Sequence, residues 1–156
     1  MIAEKMQMVY NYLEIFCLCL IEKSIDNISK KEYYIRGDRL MFDVEYYELP
    51  GGDKPVEKFI DSLDLKMRVK ALGSIDILAE YGNALREPYS KAIGSGLFEL
   101  RIKFAGDITR IFYFFVVDNK IILTNGFVKK TRKTPPGEIA LAMKYKADYE
   151  GRLEKK

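Results

Sequence analysis

Leu97-Phe98-Glu99-Leu100-Arg101-Ile102-Lys103-Phe104, followed by Ala105-Gly106-Asp107, is the stretch whose reading decides the fold. Phe98, Leu100, Ile102 and Phe104 share one parity; Glu99, Arg101 and Lys103 share the other. That is the period-two pattern of a strand with one face buried. Ala105-Gly106-Asp107 turns the chain. Thr109 to Val117 is apolar at both parities apart from Arg110 near its start, which predicts a central strand. Asp118-Asn119 makes a tight hairpin turn into a third strand, Lys120 to Lys129. Three antiparallel strands in a meander result.

Upstream, Phe42 to Leu49 alternates apolar and polar residues before Pro50-Gly51-Gly52, a strand ending in a turn. Asp53 is the expected cap of a short helix whose Val56, Phe59, Ile60 and Leu63 fall at helical spacing. A second helix fits Asp64 to Tyr81, with Leu65, Val69, Leu72, Ile75 and Leu78 or Ala79 inward and Gly82 as terminator. Asn83 to Gly96 reads as a loop from its Pro88, Gly94 and Gly96. Downstream, a helix is expected from Pro136 to about Leu153, with Thr134 as N-cap and Pro135 at the first position. Its stripe of Ile139, Met143 and Ala147 is weak, so the helix either lies loosely on the sheet or serves a partner. The fold class is α+β: a strand, a two-helix hairpin, a three-strand meander forming a small antiparallel sheet, and a C-terminal helix.

Residues 1–40 stand apart as an N-terminal extension. Val9 to Ile21 is apolar but interrupted by Asn11 and Glu14, too short to span a bilayer and without a signal cleavage site. Every readable element begins just after Met41, so the expected natural start is Met41, with residues 1–40 a non-native or mis-assigned leader. Residues 41–156 form the folded domain.

Charge is uneven along the chain. The full sequence carries a net +3, but 41–96 has 7 basic against 10 acidic residues and 97–156 has 13 against 7. The second half has the electrostatic footprint of a protein that meets an anion, nucleic acid first among them. Its densest run is Lys129-Lys130-Thr131-Arg132-Lys133, at the end of the third meander strand, where a cluster of fixed charge suits a phosphate. The bland alternative is a solvated basic loop. The chain has no histidine, which excludes a Ser-His-Asp triad, a Cys-His pair, His-ligated zinc and a two-histidine ribonuclease. Acid–base chemistry is left to Lys, Tyr, Asp or Glu. Cys17 and Cys19 are the only cysteines. The cysteine-free remainder suits a reducing, cytoplasmic setting. No metal-ligand spacing and no phosphate-cradling glycine motif is present.

Three ordered motifs carry a resemblance: Gly96-Leu97-Phe98-Glu99-Leu100-Arg101, then Thr109-Arg110-Ile111-Phe112-Tyr113, then Gly126-Phe127-Val128-Lys129-Lys130-Thr131 with Lys133-Thr134-Pro135. With this order of elements, the stretch from Met41 to about Lys156 resembles the HigB-like branch of the RelE/ParE toxin superfamily, the toxin halves of toxin–antitoxin pairs. Residues 1–40 have no counterpart in it.

The resemblance implies a RelE-like fold and a ribosome-dependent endoribonuclease that cuts mRNA during translation. The ribose 2′-OH attacks the adjacent phosphate, which requires a base, an acid and stabilisation of the crowded phosphorane, but neither metal nor cofactor. A lysine beside other cations loses its proton more readily, because a second positive charge disfavours ammonium. By position, Arg101 and Arg110 match the family's strand arginines and are assigned to the scissile phosphate. Lys129 and Lys130 match the paired lysines after Gly-Phe-Val; which is base and which phosphate clamp stays open. Thr131, Arg132 and Lys133 are assigned to flanking RNA backbone, and Lys103 to ribosomal RNA. Tyr149 matches a position where relatives often carry Tyr, a proton relay or a packing residue. The implied partners are the ribosome, mRNA and a cognate helix-turn-helix antitoxin, with no membrane. Two other classes remain: a ParE-like toxin that binds DNA gyrase without catalysis, and a non-cleaving RNA-binding module, for which Tyr113 and Phe115 are the available stacking residues.

Overall fold

The computed structural model describes residues 41–131 and 133–155. The readings of residues 1–40 and of Arg132 therefore lie outside the described residues. The elements are β1 (Asp43–Tyr46), α1 (Pro55–Ser62), α2 (Leu65–Tyr81), a 3-10 turn (Gly82–Ala84), β2 (Ser90–Gly94), β3 (Leu97–Phe104), β4 (Asp107–Val116), β5 (Lys120–Val128) and α3 (Pro136–Leu153). The strands form one sheet in the order β1-β5-β4-β3-β2.

The meander β3-β4-β5 is antiparallel, and β4 is central, as its apolar character at both parities requires. Its turns at Ala105-Gly106 and Asp118-Asn119 place both central residues at positive φ, between 47° and 94°, the backbone that matches the twist of hairpin strands. The sheet is mixed rather than wholly antiparallel. β1 pairs parallel with β5, Asp43 opposite Lys120 through Tyr46 opposite Leu123, because two helices separate β1 from the meander and allow a crossover. A fifth strand, β2, occupies part of the expected loop and pairs with β3 through a register shift between Ala92 and Gly94. It is a short, exposed, glycine-ended edge with little sequence signature.

Helices cover both sheet faces. On one side, α1 buries Val56 and Ile60, and Leu63 just beyond it is also buried. α1 begins with Pro55 and is preceded by Lys54, which makes no side-chain cap. Asp53, the expected cap, instead pairs with Lys58 at 2.7 Å. α2 runs as expected from the Asp64 cap, whose side chain accepts from the Lys66 and Met67 amides, to Gly82. Its buried face is Met67, Ala71, Ser74, Ile75 and Leu78, with Ile77 and Ala79. Of the expected stripe, Ile75, Leu78 and Ala79 are buried, Val69 and Leu72 are half-buried, and Leu65 is 55 % exposed. At Gly126 of β5 an added Cβ would lie 2.2 Å from the Phe59 ring, so α1 seats directly on backbone there.

The other face is covered by α3, which is docked rather than loose. Ala142 is fully buried with Leu97, Phe112 and Phe127, flanked by Ile139 and Met143. Tyr145 and Tyr149 pack on a second cluster of Tyr47, Phe114 and Ile122. The stripe is therefore 139, 142, 143, 145, 149, in which Ala142 and the tyrosines carry the contact and Ala147 does not. Tyr47 locks the far end of the helix: its hydroxyl donates to Asp148 at 2.6 Å, and Arg152 pairs with Asp148.

Candidate active site

β3 and β4 place Arg101 directly opposite Arg110, and β4 and β5 place Arg110 opposite Phe127. The Lys129 amide donates to the Ile108 carbonyl at 2.7 Å, extending the β4–β5 ladder by one rung. The cations of three chain segments thus meet at one end of the sheet, on the side covered by α3. Like charges directly opposed in a sheet repel, and the chain answers this with Glu99, two residues before Arg101 on the same face.

Glu99 is 1 % exposed. One oxygen, Oε1, accepts from Arg101 Nε at 3.2 Å and from Arg110 Nε at 3.1 Å. The other, Oε2, accepts from the Thr134 hydroxyl at 2.8 Å. Thr134 Oγ1 in turn accepts from Lys129 Nζ at 3.3 Å. The result is a continuous polar network, with one buried carboxylate touching two arginines directly and a lysine through one hydroxyl. Burying a carboxylate requires this degree of compensation.

The two arginines differ in what they leave free. The Arg110 side chain is 5 % exposed, and its NH1 donates to the Thr109 carbonyl at 2.9 Å and to the Ile102 carbonyl at 3.4 Å. Burial pulls the Arg110 guanidinium below its ordinary value, Glu99 opposes that shift, and Arg101 adds to it. Arg101 is 22 % exposed at its side chain, with NH1 3.6 Å from Oε2 of the exposed Glu87. The Arg101 fork therefore reaches the surface, where the exposed Glu87 carboxylate flanks it, whereas Arg110 is turned inward.

The basic loop is anchored at both ends. Asn125, buried in β5, donates from Nδ2 to Glu138 Oε2 at 2.9 Å, tying β5 to the first turn of α3. Within the loop, the Thr131 hydroxyl donates to the Lys133 carbonyl at 2.8 Å. Lys130, Thr131 and Lys133 are exposed, and Lys129 is half-buried. Lys103 is exposed on the same strand face as Arg101, two residues further on. Thr134 is not the cap of α3; Pro135 holds that position without a side-chain bond, and the hydroxyl is spent on Glu99.

Tyr149 is set apart from this cluster. Its ring meets Phe114 edge-on at 5.7 Å, four residues along β4 from Arg110, roughly 13 Å at strand rise. Burial first, then Glu45, raises its hydroxyl above the ordinary tyrosine value, with Lys120 opposing. Tyr113 and Phe115 pack with Phe98 on the other sheet face; Tyr113 is 1 % exposed and its hydroxyl is paired with Ser90 at 2.6 Å. A buried Tyr113 is not a base-stacking platform.

The sequence alone does not mark Glu99 or Thr134 as a site residue. In an alternating strand Glu99 reads as one more solvent-facing polar residue, and Thr134 before two prolines reads as a cap. The available signal was a lone carboxylate sharing the parity of Arg101 amid an otherwise cationic neighbourhood.

An α+β sheet with helices on both faces and a buffered cationic cluster at one end defines the class. Residues 58–147 match the family model described as phage derived protein Gp49-like (DUF891). The match spans more than half of the chain, and the protein belongs to this family of toxin–antitoxin toxins, itself part of the RelE/HigB-like toxin superfamily. The matched segment contains Glu99, Arg101, Arg110 and the basic loop through Thr134, but not Tyr149. No curated protein matches the chain. Among the described residues, no helix is long and apolar enough to cross a membrane.

Proposed function

We propose that the protein is a HigB-like toxin that cleaves mRNA on the ribosome, by attack of a ribose 2′-OH on its own 3′ phosphate. The observation that carries this reading is the cluster of Arg101 and Lys129 about the buried Glu99 carboxylate, beside the exposed Lys130 and Lys133. Arg101 holds non-bridging phosphate oxygens with its outer nitrogens and stabilises the charge that accumulates in the phosphorane. Lys129, in its amine form, takes the 2′-OH proton as the O2′–P bond forms. The P–O5′ bond breaks, and the departing O5′ takes a proton from an acid, for which Lys130 is the nearest exposed candidate in sequence. The products are a 2′,3′-cyclic phosphate and a 5′-OH, with no water consumed.

Arg110 supports this arrangement from behind: its nitrogens are committed to Glu99 and to backbone carbonyls, so it backs Arg101 rather than meeting the phosphate. Lys103, Thr131, Arg132 and Lys133 hold flanking RNA. Tyr149 serves packing of α3. The reading entails a helix-turn-helix antitoxin that covers the basic face or α3, and action in the cytoplasm, where mRNA is translated.

The test is 5′-end mapping of cellular mRNAs after a brief pulse of the full chain, with Arg101→Ala in parallel. New 5′-OH ends inside open reading frames, absent in the variant, are expected. Growth arrest without new ends would overturn the ribonuclease reading in favour of a binding toxin of the gyrase-inhibiting kind.

A further inference from the structure

Polarity along the Lys129–Thr134–Glu99 line has a fixed direction. A carboxylate bonded to two guanidinium groups is an acceptor only. The Thr134 hydroxyl must therefore spend its single proton on Glu99 Oε2, at 2.8 Å. That leaves only lone pairs for Lys129, whose Nζ donates to Oγ1 at 3.3 Å. One N–H direction of the Lys129 nitrogen is thereby assigned, and the remaining directions, including the lone pair of the amine, turn away from Glu99. The same carboxylate fixes Nε of Arg101 through its other oxygen, so the lysine and the phosphate-facing arginine are referenced to one buried group. A long lysine with free rotamers would otherwise lose much of its orientation to entropy.

We infer that Thr134 and Glu99 are positioning residues: Thr134, its hydroxyl oriented by the buried Glu99, aims the Lys129 nitrogen, while Glu99 aims Arg101. This deepens the proposed function and rests on it for the catalytic consequence, but the aiming itself is a property of the free protein. It explains why a hydroxyl placed just before a helix is not used to cap it. It also gives Glu99 a role beyond neutralising Arg110, because that role alone would not require its second oxygen to be bridged to the loop.

The test uses the full chain with Thr134→Val, which keeps the branched shape and removes the hydroxyl, and Thr134→Ser, which restores it. Nitrogen-15 NMR at mildly acid pH and low temperature reads the Lys129 ammonium and the Arg101 Nε–H directly. The expected result is a slowly exchanging Lys129 signal in the wild type, lost in Thr134→Val and recovered in Thr134→Ser, with the Arg101 signal kept in all three. On ribosome-bound mRNA, Thr134→Val should lower the single-turnover cleavage rate about tenfold or more with affinity unchanged, and Thr134→Ser should recover most of it. A Lys129 signal indifferent to Thr134→Val would overturn the inference, as would an unchanged cleavage rate. Absence of cleavage by the wild type would overturn the proposed function instead, and the NMR arm would still decide the geometry.

Discussion

Arg101 and Arg110 are direct partners in the β3–β4 ladder, and their Nε atoms lie 3.2 and 3.1 Å from the same Glu99 oxygen. Two residues of one type, in register, on one acceptor, nevertheless differ in exposure, 22 % for the Arg101 side chain against 5 % for Arg110. Under the proposed function, the difference separates activity from stability. Arg101→Ala leaves Glu99 paired with Arg110 and Thr134, so the melting temperature should hold while cleavage falls about a hundredfold or more. Arg110→Ala strips the buried carboxylate of its deepest partner and should cost about 3–5 kcal/mol in denaturant unfolding. Equal loss of stability in the two variants would contradict this division.

Thr109, next to Arg110 on β4, is fully buried, and its hydroxyl has no hydrogen-bond partner. An orphaned buried hydroxyl costs on the order of 1 kcal/mol, and valine has its shape without the polar atom. Thr109→Val should therefore stabilise the protein by about that amount in urea unfolding, and a destabilised variant would show that the hydroxyl is satisfied in solution.

Gly126 admits no side chain without movement. An added Cβ meets the Phe59 ring at 2.2 Å and the Arg110 carbonyl at 3.1 Å. Gly126→Ala should cost about 1–3 kcal/mol by overpacking. Combining it with Phe59→Ala should cost less than the sum of the two single changes, because the ring that clashes is then gone. Strict additivity in a double-mutant cycle would refute the contact.

Docking of α3 carries a pH signature. Burial, then the hydrogen bond to Asp148, raises the Tyr47 hydroxyl to about 12, against about 10 for a free tyrosine. A raised value means the folded protein disfavours ionisation, so the contribution is complete below pH 10 and lost as pH climbs to about 12. Asp148 behaves oppositely: its bond from Tyr47 depresses its carboxyl, burial opposes this and Arg152 reinforces it. That contribution is present at neutral pH and lost as pH falls through the depressed value. Thermal melts should decline between pH 10 and 12, and Tyr47→Phe should flatten part of that decline. Tyr46, Tyr113 and Tyr149, also raised first by burial, account for the remainder.

The meander was legible in the sequence because each strand answers to one local rule: alternation in β3, apolar continuity in β4, Asp118-Asn119 before β5. The α2 helix was legible at its ends, where Asp64 and Gly82 act locally, and in Ile75, Leu78 and Ala79, but not in its first turns, where Met67 and Ala71 are buried in place of Leu65 and Val69. The β2 strand escaped notice because an exposed edge ending in glycine has no pattern of its own. In the candidate site the cations could be read as a cluster, since charge density survives without coordinates. The Arg101–Arg110 pairing awaited the register, and Glu99 awaited burial, which reverses the meaning of a polar residue on an alternating strand. Thr134 has the sequence position of a cap, and only the distance to Glu99 shows where its proton goes.

The parallel pairing of β1 with β5 has a consequence in time. Asp43 and Lys120 are neighbours in the sheet, yet β1 leads the described chain and β5 is its last strand. The earliest strand therefore waits for the latest, and loop closure over so long a separation slows assembly. The basic loop follows β5 without a break, so closing the sheet and bringing Lys129 and Thr134 to Glu99 belong to the same late event. A chain interrupted before Lys120 already contains Arg101 and Arg110 but lacks the closing strand and the lysine. By this layout the two arginines are made early, and the network that joins them to Lys129 through Glu99 and Thr134 is completed only when nearly the whole domain has been synthesised.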